Sequence, residues 1–211
     1  MIHTTKFHHR YVPARIPGSR ERLVVVLHGL GDSLAGWSFL PDALRVPELS
    51  YLFVNAPDPY YGGYSWYEFM GDKEPGVLRG RALLLELIDE LKEQELAASD
   101  IFLLGFSQGC LMAVDAGLHA PEPLGGIVGI SGYVAFPERY PADFAPAAVQ
   151  QKILITHGRR DPVVPYEPSR KQFLELRKLG VDLELLTYDK EHTVLPEELA
   201  DIAAWLRERL D

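Results

Sequence analysis

The stretch "LLGFSQGC", residues 103–110, sets a serine between two glycines directly after an apolar run. Its central five residues match Gly-x-Ser-x-Gly, a pattern short enough to arise by chance, so its flanks decide its meaning. Upstream, "IFLLGFS" (101–107) reads as a buried strand; downstream, "CLMAVDAGL" (110–118) is apolar enough for a buried helix. A strand that turns sharply into a helix leaves no room for side chains beside the residue at its apex, and glycines meet that demand. In that setting Ser107 stands above a sheet at the N-terminus of a helix, whose free N–H groups favour developing negative charge. The competing reading is an ordinary turn serine, and the rest of the chain discriminates between the two.

Outward from this point, short apolar runs alternate with amphipathic ones. "LVVVLHG" (23–29), "YLFVNAP" (51–57), "GIVGIS" (126–131), "KILITHG" (152–158) and "DLELLTYD" (182–189) read as further strands, rich in Val, Ile, Leu and Phe. Leu84, Leu87, Ile88 and Leu91 follow helical spacing, and Phe173, Leu176 and Leu179 precede Gly180, a helix stop. The last segment carries Leu199, Ile202, Ala203, Leu206 and Leu210 on one stripe. Glu197 and Glu198 stand at its start and Arg207 and Arg209 near its end, as the helix dipole favours. Such alternation predicts an α/β fold with a mainly parallel central sheet and helices on both faces. The opening "TTKFHHRYVPA" (4–14) reads as an antiparallel edge strand, and with no linker in view residues 1–211 are expected to form one domain.

Composition narrows the function classes. Lys and Arg number 21 against 30 Asp and Glu, a net charge of −9 that offers no basic cluster for nucleic-acid phosphates. The start, "MIHTTKFHHR", lacks the apolar core of a secretory signal, and no apolar run is long enough to cross a bilayer. A soluble, cytoplasmic protein without stable membrane insertion is expected. Cys110 is the single cysteine, which rules out an intrachain disulfide, and its place in an apolar helix reads as a core thiol.

A serine nucleophile needs a base and the base needs an orienting acid, each on a loop after a later strand, acid before histidine. Asp161 follows the strand ending "ITHG", in "HGRRDPVVP", and His192 follows the strand ending "LTYD", in "DKEHTVLP". Among the seven histidines, His28 and His157 precede glycines at strand ends, where packing or backbone roles are natural, and His192 has the position of a base. Asp189 and Glu191 are neighbours of His192 but sit badly for reaching its far ring nitrogen, which favours Asp161. Oxyanion donors are expected from the backbone N–H of Gln108, after the nucleophile, and of Leu30, in the glycine-lined turn "HGLGDS".

Together, "LHGLGDS", "GFSQGC", "HGRRDPVVP" and the late His192 resemble the small carboxylesterase, lysophospholipase and acyl-protein thioesterase family of α/β-hydrolases, from about Leu23 to the C-terminus. The resemblance implies a Ser107, Asp161, His192 triad, Leu30 and Gln108 as oxyanion donors, no cofactor, and hydrolysis of acyl esters or thioesters. It also implies that Trp66, in "YSWYEF", lies beside the acyl pocket. The chain departs from the family in placing Lys190 and Glu191 before His192, where relatives often have a glycine or small residue.

The aromatic stretch "PDPYYGGYSWYEF" (57–69) offers Tyr64, Trp66 and Tyr67 as a substrate wall with hydroxyl handles; the alternative is a loop packed on its own aromatics. Residues 132–151, Pro-rich and short, leave no length for a large cap domain, so an open pocket for a small acyl ester of short to medium chain is expected. Pairing His28 with Asp32 and His157 with Asp161 gives no specific metal signature, and a metal on Asp161 would remove the acid. A hydrolase-fold binding protein stays open as a different class, though it would be expected to have lost a triad member. A homodimer also stays open, because an apolar interface reads as core in a bare sequence.

Overall fold

Alternation along the buried strands sets the layers. In β2 (Arg22–Leu27), Leu23, Val25 and Leu27 join one apolar core while Val24 and Val26 join another, so both faces of the strand are covered. A computed structural model describes residues 2–18 and 20–210. Its main sheet also contains β1 (His9–Val12), β3 (Leu49–Val54), β6 (Ile101–Phe106), β7 (Gly126–Ile130), β8 (Lys152–Gly158) and β9 (Asp182–Tyr188). The order is β1-β3-β2-β6-β7-β8-β9, and every neighbour is parallel except β1, which pairs antiparallel with β3 at one edge. A mainly parallel sheet and an antiparallel first strand are as expected.

Among the described residues, five α-helices cover it. Apolar residues of α2 (Glu74–Glu93), α3 (Gln108–His119) and α4 (Tyr166–Lys178) pack into the first core, and those of α1 (Leu40–Leu44) and α5 (Pro196–Arg207) into the second. Two terminal residues differ from the helical stripes expected of them. The helix α4 ends at Lys178; Gly180, at φ 96°, turns the chain, so Leu179 is 38% exposed instead of buried. After α5 ends at Arg207, Leu210 reaches the second core from outside the helix. Arg209 likewise lies beyond the helix, stacked on the Trp205 ring. Among the described residues, no helix is long and apolar enough to cross a membrane.

The strand order reverses between β2 and β6, which run parallel side by side while their connections lead to opposite ends of the sheet. Open α/β sheets bind ligands outside the carboxyl ends of the strands at such a point. The loops after β2 and β6 meet there, beside those after β7, β8 and β9. A hairpin of β4 (Asp58–Tyr60) and β5 (Gly63–Ser65) closes over the first of them. Its two-residue turn, Tyr61 and Gly62, has positive φ at both positions, the twist that suits a tight hairpin. Backbone bonds from Gly31 N to Tyr64 O and from Tyr64 N to Asp32 O, each 2.9 Å, tie the hairpin to the loop after β2.

Candidate active site

The turn from β6 into α3 is as sharp as its glycines imply. Ser107 is held at φ 54° and ψ −114°, a left-handed backbone that costs a serine energy and persists only where its surroundings enforce it. A Cβ on Gly105 would stand 2.0 Å from Gly109 O, and one on Gly109 would stand 2.1 Å from Leu27 O. The glycines are therefore required by close backbone approach on both sides of the serine.

The three side chains chosen from the sequence come together. His192 Nε2 lies 3.0 Å from Ser107 Oγ, and His192 Nδ1 lies 2.7 Å from Asp161 Oδ2. A carboxylate accepts, so Nδ1 carries the proton and donates to Asp161, which leaves the Nε2 lone pair facing the serine hydroxyl. Asp161 is fixed in turn: its Oδ1 accepts from the backbone N–H groups of Val163 at 2.9 Å and Val164 at 2.8 Å, and its side chain is fully buried. The ring of Phe106 packs 4.8 Å from that of His192, tilted by 40°. Asp189 is turned instead to Arg160, in an ion pair at 2.6 Å.

Among the described residues, no protein acceptor takes the N–H of Leu30 or of Gln108. Gln108 opens α3, where the first N–H groups have no partner within the helix. Its side chain has a second task, since Oε1 accepts from Trp66 N at 3.0 Å and Nε2 donates to Tyr67 O at 3.0 Å. The aromatic segment is thus stapled to the turn that carries Ser107.

That stapling corrects the expectation for two aromatic residues. Trp66 is fully buried, donates from Nε1 to His28 O at 2.9 Å, and packs on Phe7 and His28; it does not line the cavity. Tyr64 is half-buried behind the loop after β2 and stays outside the cavity as well. The reason is pairing: the β5 backbone bonds to Gly31 and Asp32 turn this part of the segment toward the protein. Tyr67 does reach the cavity, its hydroxyl 3.0 Å from that of Tyr133. Burial and the neighbouring Tyr133 push the Tyr67 phenol well above its usual range.

The cavity beside Ser107 and His192 has a volume of about 500 Å³ and mostly apolar walls. Beyond Tyr67, its walls include Phe69, Phe106, Tyr133, Val163 and Val164. Phe106 and Val163 sit inside motifs already quoted, but Tyr133 and the α4 residues Ser169 and Gln172 carried no signal in the sequence.

The two strand-end histidines act on the backbone. His28 donates from Nδ1 to Gly29 O at 2.6 Å and accepts from Ala56 N at 3.0 Å, which joins the ends of β2 and β3. His157 donates from Nε2 to Val164 O at 2.9 Å and so braces the turn that holds Asp161. Burial lowers the pKa of both imidazoles and keeps them neutral. The buried Cys110 thiol is pushed up to about 12 by the same effect, which leaves it without thiolate character.

The chain resembles proteins of known kind over nearly its whole length. The profile of a family described as phospholipase/carboxylesterase matches residues 16–210. Acyl-protein thioesterase 1 of Schizosaccharomyces pombe is 35% identical, over 67% of this chain and 69% of that protein. Acyl-protein thioesterase 1 of Yarrowia lipolytica is 31% identical, over 95% of this chain and 98% of that one. Among solved structures, esterase PE8 superposes with a TM-score of 0.85 at 32% identity, covering 98% of this chain and all (100%) of that chain. The Bacillus cereus carboxylesterase, at 18% identity and a TM-score of 0.84 over 98% of this chain and 96% of its own, shares the fold.

Proposed function

The chain belongs to the phospholipase/carboxylesterase family of serine hydrolases with the α/β-hydrolase fold, and from that premise we propose that it is a carboxylesterase acting on short to medium acyl chains through Ser107, His192 and Asp161. The observation that carries the reading is the continuous line from Ser107 Oγ to His192 at 3.0 Å and from His192 to Asp161 at 2.7 Å. On this reading each step is assigned to one group. His192 Nε2 takes the hydroxyl proton as Ser107 Oγ attacks the acyl carbonyl, and Asp161 holds the ring and steadies its positive charge. The N–H groups of Leu30 and Gln108 receive the oxyanion. Collapse expels the alcohol, which takes its proton from His192, and the acyl group stays on Ser107. A water that gives its proton to His192 then attacks the acyl-enzyme, and as the second intermediate collapses His192 returns that proton to Ser107 Oγ and the acid leaves.

The apolar cavity of about 500 Å³ supports an acyl chain of short or medium length. The test is hydrolysis of p-nitrophenyl esters from acetate to palmitate by the wild type and by Ser107→Ala. Turnover that peaks at a short or medium chain and vanishes in the variant supports the proposal; full activity in Ser107→Ala ends it, and a palmitate optimum ends the chain-length part. A second reading, thioester hydrolysis, is favoured by the relatives named acyl-protein thioesterase 1. The oxyanion and acyl-enzyme are common to both, so competition between an S-acyl peptide and the matching oxygen ester separates them.

A further inference from the structure

His192 rides on a segment with no ladder of its own, between the end of β9 at Tyr188 and the start of α5 at Pro196. Two of that segment's polar groups, the Lys190 ammonium and the Leu195 N–H, converge on one carboxylate. Lys190 Nζ donates to Glu198 Oε1 at 2.6 Å, to Glu198 Oε2 at 2.7 Å and to Thr193 O at 2.6 Å, which uses all three of its protons. Glu198 Oε2 also accepts from Leu195 N at 3.1 Å. The side chains of Lys190 and Glu198 are both fully buried. These contacts bracket His192 two residues before it, one after it and three after it.

The same segment reaches the acid. Lys190 O accepts from Arg160 N at 3.1 Å, next to Asp161, and a Cβ on Gly158 would stand 2.3 Å from Lys190 O. Only a glycine lets the Lys190 backbone lie this close to the end of β8. The loops of the acid and the base are thus joined through Lys190.

A helix-capping glutamate would serve α5 while exposed to water. Burying it with a lysine costs desolvation of two charges, and an apolar pair of similar volume would be as stable or more so. What the pair supplies is direction, because three hydrogen bonds from one ammonium fix a loop that apolar contacts would leave free to slide. We propose that Lys190 and Glu198 are positioning residues, which hold the loop of His192 so that Nε2 meets Ser107 Oγ. The proposal rests on the role given above to His192.

The test is the double variant Lys190→Met/Glu198→Leu, which removes both charges together and so avoids an unpaired buried ion. Positioning predicts a melting temperature close to wild type and an unchanged KM for p-nitrophenyl butyrate. It also predicts a kcat fall approaching about 100-fold, the cost of a catalytic group displaced by roughly 1 Å. Labelling of Ser107 by a fluorophosphonate slows by the same factor. A double variant that is folded and keeps wild-type kcat overturns the proposal, since the pair then only fills the core. Glu198→Gln, measured well below its own melting temperature, is the second variant should the double one not fold; wild-type kcat there is equally fatal. A wild-type protein inert on every ester removes the esterase reading instead, and the labelling rates of Ser107 then judge the positioning role by themselves.

Discussion

Replacing Asp161 by asparagine tests the hydrogen-bond logic of the site at one atom. Asp161 Oδ1 accepts two backbone N–H groups, from Val163 and Val164, at 2.9 and 2.8 Å. In Asp161→Asn only the amide oxygen can accept those bonds, so the amide NH₂ is forced to face His192 Nδ1. That nitrogen must then accept, the ring proton moves to Nε2, and the lone pair that should take the Ser107 proton is lost. The change keeps both backbone bonds and the volume of a fully buried side chain, so stability should shift little. Turnover should not survive so well: the wrong tautomer costs about 10⁴ in kcat in a protease triad, equivalent to about 5.4 kcal/mol of barrier. The assay is kcat on p-nitrophenyl butyrate beside a thermal melt. A variant with wild-type melting and kcat within about tenfold of wild type would refute the assignment of Asp161 as the orienting acid, because the tautomer argument leaves no room for so small a loss.

Three more outcomes follow from the same contacts. Gly105→Ala sets a Cβ 2.0 Å from a backbone carbonyl that cannot yield, whereas Gly62→Ala meets nothing within 4 Å and suffers only from its φ of 89°. The first should cost at least about 3 kcal/mol and the second about 1–2 kcal/mol, and urea midpoints in the reverse order would contradict the packing account. His28 and His157 are buried and hold lowered pKa values, so below pH ~6.5 the unfolded chain binds more protons than the folded one. Stability from these residues is complete above that pH and falls as pH drops from it toward the lowered folded values. Urea midpoints that stay level from pH 7 to pH 5 would show that burial does not hold the two rings neutral. Cys110 has no exposure and a thiol pushed up to about 12. Ellman's reagent at pH 8 should therefore label it only after urea is added; stoichiometric labelling of the native protein would disprove its burial.

The parts legible in the sequence were those written in local order. Glycines at 105 and 109, an acid after one strand and a histidine after the next are positional facts, and a parallel sheet delivers every strand's carboxyl end to one edge. Placing Ser107, Asp161 and His192 on three such ends therefore brings them near one another before any side chain is considered. Trp66 and Tyr64 were misread because composition cannot say which side of a segment faces in. That is decided by the Gly31 and Asp32 bonds to Tyr64, a pairing between stretches some thirty residues apart. Tyr133 and Gln172 were missed for a related reason, since Tyr133 reaches the cavity from the irregular loop after β7 and Gln172 from a helix whose own pattern records only its packing on the sheet.

Glu198 shows where reading by dipole and stripe stops. Two acids at the start of α5 look like ordinary charge at a helix N-terminus, and Glu197 is exposed there. Glu198 occupies the third helical position, where a carboxylate can fold back to the N–H at the cap, and that bond to Leu195 turns it inward. A carboxylate turned inward must find a partner, and the chain supplies Lys190 eight residues earlier, on the loop that carries His192. Neither residue predicts the other by spacing, because no regular element spans the distance between them. The helix cap, the buried charge and the segment that carries His192 thus become one structure only when the fold closes.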